Sequence, residues 1–255
     1  MLSLIFLGVV AALPIAAVFV FFVTLAGKML GAQLRAQQKF KQDFAAANGY
    51  TYSPKRELDG LDGALFHIGY DKSATDVVSG TYDGYPASLF TYIYATPGGE
   101  SDYVHFYTVL ELEFDTSMPD ILLENKESTF GEPFGDAFRE LLPQKASATR
   151  ELVKLEGDFN QYFSLSIPRG CEVEALEIFT PDVMQELIAK CKSLNLEIVN
   201  SHLFIYAYGV LSSKDSVDVL YDVADFFAKK LGPVLARMKK PTDALAGITN
   251  NSFNH

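Results

Sequence analysis

The chain has 255 residues, of which 49% are hydrophobic and 13% aromatic. That is enough apolar mass for a packed core and too much for a disordered chain. The formal net charge is −11, and the early basic residues Lys28, Arg35, Lys39 and Lys41 leave the remainder still more acidic, which argues against nucleic acid as a partner.

Residues 2–27 contain no Asp, Glu, Lys, Arg or His. A helix needs roughly 20 apolar residues to cross a bilayer, so a transmembrane helix is predicted over 1–27, kinked at Pro14. A cleaved signal peptide is the rival reading, but its basic n-region is absent and the apolar run exceeds the usual ~7–15 residues. The basic residues all follow the segment. The positive-inside rule then predicts a bacterial inner-membrane, single-pass protein, N-out and C-in, with a cytoplasmic domain. The lipid bilayer is the expected partner of residues 2–27. Gly8, Ala12 and Ala16 recur every fourth residue, a spacing that lets two such helices pair as a homodimer; an ordinary Ala-rich span has the same look.

Residues 28–47 are predicted as a helical stalk stopping at Asn48-Gly49, followed by a soluble domain over 48–240. Asp59-Gly60-Leu61-Asp62-Gly63 reads as turns, with a short strand around residues 64–68. This stretch lacks the ligand spacing and closing Glu of a calcium loop.

A hairpin carries the strongest fold signal. Strands are predicted over 77–82 and 85–94, joined at Asp83-Gly84. The next strand, 103–114, alternates along its length. Symmetric pairing across Pro97-Gly98-Gly99 would set Tyr94 against Tyr103, Tyr92 against His105 and Phe90 against Tyr107. These six residues would form an aromatic ladder, which is the candidate binding face for a sugar, peptide or base. Such pairs also serve as ordinary sheet stabilisers. An edge strand is expected over 120–124. The turn-rich stretch 125–150 is the best internal boundary.

In the second half a strand is predicted over 159–167. A helix opens at Thr180-Pro181, with proline at its first position. Short strands follow over 197–199 and 203–208, then a long helix from Ser212 or Ser213. Residues 241–255 read as a disordered tail.

Site chemistry is sparse. There is no phosphate loop, no G-x-S-x-G elbow and no HExxH. Cys171 and Cys191 fit no zinc or redox spacing; Cys191 reads as a buried thiol, and a bridge would suit only an oxidising compartment. Glu111 and Glu113 share one strand face, where a carboxylate pair could work as acid and base; a solvated strand would show the same pattern. No catalytic residue, metal ligand or cofactor is assigned.

Val78-Ser79-Gly80-Thr81-Tyr82-Asp83-Gly84, Thr108-Val109, Thr180-Pro181-Asp182-Val183-Met184 and the strand 203–208 resemble a group of uncharacterised bacterial membrane-anchored proteins, over most of residues 77–231. The resemblance implies architecture and placement and transfers no functional residue. The expected whole is an α+β protein: an N-terminal transmembrane helix, then an antiparallel-sheet domain with two or three packed helices. The expected role is a non-catalytic interaction or scaffold module with an unknown protein partner. The alternatives are a hydrolase-like enzyme with a dispersed site, which a polar pocket around His105, Glu111 or Tyr107 would support, or, with reversed topology, an extracellular ligand-binding domain.

Overall fold

The structure, a computed structural model, describes residues 32, 35–99, 101–114, 120–126, 150–173, 176 and 179–231. The chain divides into two compact units, residues 1–40 and 41–255. In the first, the described residues are helical. Residues 35–48 are helical (α1).

The second unit is α+β. Its nine strands are β1 (Thr51–Arg56), β2 (Tyr70–Tyr82), β3 (Tyr85–Thr96), β4 (Tyr103–Glu113), β5 (Ile121–Asn125), β6 (Arg150–Val153), β7 (Phe163–Pro168), β8 (Leu194–Val199) and β9 (His202–Tyr208). They form one sheet in the order β1-β2-β3-β4-β9-β8-β5-β7-β6, and every pairing is antiparallel.

Local chemistry explains several elements. At the β2–β3 turn Asp83 has φ 48° and Gly84 φ 89°. Two left-handed residues in a row match the twist of the flanking strands, and Asp-Gly supplies them at least strain. At the β8–β9 turn Asn200 is left-handed, with φ 55°, a conformation that asparagine adopts more readily than most residues. Helix α3 (Pro181–Cys191) opens on proline after an extended Thr180. The Thr180 hydroxyl donates to Asp182 Oδ1 at 2.6 Å instead of capping the helix. Helix α4 (Lys214–Phe226) is capped by Ser213, whose hydroxyl accepts the Ser216 amide at 3.3 Å.

Four local expectations shift. The segment 51–56, where no strand was predicted, is strand β1. Residues 64–67 form a 3-10 turn rather than a strand. Residues 159–162 form a helical turn, α2 (Phe159–Tyr162), ahead of β7. Strand β5 is interior, between β8 and β7, and not an edge; Ile121–Glu124 are buried on both faces, as an inner strand requires.

The sheet has cover on both sides. On one side lie the buried positions of α4: Val217, Leu220, Tyr221, Val223, Ala224 and Phe226. On the other lies a strap, residues 57–69, whose Leu61, Ala64, Leu65, Phe66 and Ile68 join one core cluster with the sheet's aromatic residues. Gly63 lets the strap come close, because a methyl group there would collide with the Tyr206 hydroxyl.

Among the described residues no helix is long and apolar enough to cross a membrane. The expectation of a transmembrane, single-pass membrane protein is corrected on that finding: the described apolar residues turn inward on a sheet. Residues 1–27, which prompted that expectation, lie outside the described residues. So do Gly8, Ala12 and Ala16, the stretch 127–149 and the tail 241–255.

Candidate binding cleft

The aromatic ladder exists in a shifted register. Thr96 pairs with Tyr103, Tyr94 with His105, Tyr92 with Tyr107 and Phe90 with Val109. The strands continue to Thr96 before turning, so the pairing moves by two positions. A shift of two preserves the face.

That face is not open for stacking. Phe90, Tyr92, Tyr94 and Tyr107 are fully buried and His105 nearly so; Tyr103, at the sheet's end, is 62% exposed. Phe66 of the strap is the reason. Its ring lies 5.0 Å from Tyr92, 5.2 Å from Phe204, 6.0 Å from Tyr206 and 6.2 Å from Phe90, distances typical of packed aromatic pairs. His105 Nε2 bonds the Thr96 hydroxyl at 2.8 Å. Burial lowers the pKa of His105, which leaves the ring neutral beside Tyr94. The ladder is core.

The strap covers only part of this face. Toward the β2–β3 turn the same surface emerges as a cleft of about 430 Å³, within the ~300–1,000 Å³ usual for ligand sites. Ser79, Ser88, Glu111, Glu113 and His202 line it from the strands, and Arg56, Asp59 and Gly60 from the strap side. Cross-strand registers explain the assembly: Ser79 faces Ser88, Ser88 faces Glu111 and Glu113 faces His202. The period-2 alternation that buries Tyr107 and Val109 carries Glu111 and Glu113 into the cleft.

Glu111 is the electrostatic centre. Its residue is only 7% exposed. Oε2 pairs with the Arg56 guanidinium, whose Cζ stands 5.1 Å above the Phe90 ring. Oε1 faces His202 Nε2 at 3.7 Å, beyond hydrogen-bonding range. The Ser79 and Ser88 hydroxyls lie 3.0 Å apart. Arg56 neutralises the one deeply placed carboxylate and packs on an aromatic ring, an arrangement suited to recognition. Among the described residues no three His, Cys, Asp or Glu side chains converge as a metal ion would require.

No family model and no curated protein matches this chain. Among solved structures it is similar to the crystal structure of the mycobacterial trehalose monomycolate transport factor A, TtfA. The two are 15% identical, the match covers 81% of this chain and 99% of that one, and the TM-score is 0.57. At that identity the likeness is one of fold, and it matches the α+β sheet domain described above.

The sequence pointed to Glu111 and Glu113 as a pair on one face, and both line the cleft. It did not point to Arg56 or His202. Arg56 ends a strand that carries no alternation signal, and the partner of His202 is set by the β4–β9 pairing. Both cysteines are buried. Burial pushes the Cys191 thiol up to about 12, which removes it from chemistry at neutral pH.

Proposed function

We propose that this chain is a non-catalytic interaction module that engages a partner through the Arg56–Glu111–His202 cleft. One observation carries the reading: the deepest charged group of the cleft, Glu111, is neutralised by Arg56, so the site offers shape and polar complementarity rather than an activated nucleophile. The likeness to TtfA supports it in one respect, since that protein is named a transport factor.

The test is site-specific photo-cross-linking in cells from position 88, in the cleft, and from position 229, on an exposed helical surface. Discrete adducts from position 88 alone are expected. Equal or absent adducts at both positions would sink the proposal.

A second reading, a hydrolase-like enzyme with a dispersed site, is favoured by one feature: a polar pocket does lie around Glu111, with a histidine beside it. Turnover of ester, glycoside or phosphoester substrates by the purified chain, lost on Glu111→Gln, would promote that reading over the first.

A further inference from the structure

We propose that the cleft binds an organic cation, an ammonium or guanidinium group. The inference rests on the reading of the cleft as a binding site and adds the chemical class of its occupant.

The sign of the lining is the first argument. Three carboxylates, Asp59, Glu111 and Glu113, share the cleft with one guanidinium. Arg56 balances Glu111, while Asp59 and Glu113 are exposed at the mouth with no ion pair among the described residues. A carboxylate or phosphate ligand entering here would meet net repulsion.

Hydrogen bonding at the floor points the same way. Glu111, a residue only 7% exposed, lines the cleft; its Oε2 pairs with Arg56 and its Oε1 stands 3.7 Å from His202 Nε2. A carboxylate oxygen at the floor of a cleft favours charge-assisted donors. Ammonium and guanidinium groups bring three and five N–H donors and no acceptor. The Ser79 and Ser88 hydroxyls, which can accept as well as donate, add further acceptors to the same floor. A ligand rich in donors and positive in charge fits both features at once. A neutral polyol fits only the second.

The test uses the full chain and NMR titration with N-acetyl-lysine methylamide, N-acetyl-arginine methylamide and putrescine as cation probes. Methyl glucoside and acetate serve as the neutral and anionic probes. Cation probes should shift the Ser88 and His202 resonances, and added salt should weaken them. The variant Asp59→Asn/Glu113→Gln changes two exposed side chains and should leave the fold intact. It should weaken cation binding about tenfold. Tighter binding of the capped residues than of putrescine assigns the cation to a partner's side chain; the reverse order assigns it to a free polyamine.

Saturation by methyl glucoside or acetate at the same resonances, without a response to the cations, overturns the cation assignment and leaves the binding reading standing. Cation binding that the double variant leaves unchanged also overturns the assignment. No response to any probe, together with no adduct from position 88, overturns both.

Discussion

Tyr206 donates its hydroxyl to Glu197 Oε2 at 2.9 Å, and the same oxygen accepts the Ala64 amide at 2.7 Å. One buried carboxylate thus ties β9, β8 and the strap together. Burial, together with the Glu197 charge, raises the Tyr206 phenol pKa well above its usual value, so it acts here as a fixed donor. Removing the acceptor strands two donors in the interior, whereas removing the phenol oxygen strands none. Glu197→Ala should therefore cost about 3 kcal/mol and Tyr206→Phe about 1 kcal/mol. Urea denaturation of both variants checks this, and equal losses would remove Glu197 from its tying role.

Tyr92 tests whether the ladder is core. Its hydroxyl is buried with no hydrogen-bond partner among the described residues, and burial raises its pKa. Tyr92→Phe should leave stability unchanged or raise it by about 1 kcal/mol. Tyr92→Ala removes a ring packed against Phe66 and Tyr94 and should cost about 3–5 kcal/mol. The melting temperatures of the two variants should move in opposite directions or differ widely. A small loss for Tyr92→Ala would mean that the strap does not seal this face.

Arg56 and Glu111 form a pair that is more costly to break than to remove. Arg56→Met strips the neutralising charge from a side chain that is only 10% exposed, and should cost about 2 kcal/mol after allowance for solvent at the half-buried Arg56. Adding Glu111→Gln should recover part of the loss. A double-mutant cycle measures the coupling, and strict additivity would show that the pair does not interact.

Lys41 makes stability depend on pH. The residue is 1% exposed and its Nζ has no hydrogen-bond partner among the described residues. Burial pulls its pKa down to about 8 from 10.5, and Asp76 pulls weakly the other way. The unfolded chain therefore holds this proton above pH 8 after the folded chain has released it. Stability should rise as pH climbs from about 8 toward 10.5, relieving a penalty of order 3 kcal/mol. Cys191 acts in the opposite direction. Its pKa is raised from 9 to about 12, so stability present below pH 9 is lost as pH approaches 12. The clean window is pH 8–9. Lys41→Met should stabilise the chain at neutral pH and abolish the rise there, as read by denaturant titrations at several pH values. A Lys41→Met variant with an unchanged pH slope would show that Lys41 does not titrate in the folded state.

What was legible along the chain follows from how local each signal is. Asp83-Gly84 specifies a tight turn through two backbone conformations, and the structure places the turn there. Alternation from Tyr103 onward specifies a strand with two distinct faces, and β4 is that strand. Thr180-Pro181 and Ser213 mark the starts of α3 and α4 through constraints that act within one helical turn. β1 left no such mark: Thr51–Arg56 carries a proline and no alternation, and is held as an edge strand by its pairing with β2.

By itself the sequence determined the hairpin, the face of the ladder, the starts of the helices and the α+β class, because these depend on dihedral preferences and on periods of 2 and 3.6 residues. Tertiary structure alone decided that the ladder is interior and that the carboxylate end of the same face lies in a cleft. The reason is physical. Alternation says which side chains share a face, but the cover over that face comes from residues 57–69, a strap without periodicity whose Phe66 finds Tyr92 and Phe204 only once the strands have paired. Arg56, Glu111 and His202 meet for the same reason: three separate strands of one sheet bring them together, and no spacing along the chain records it.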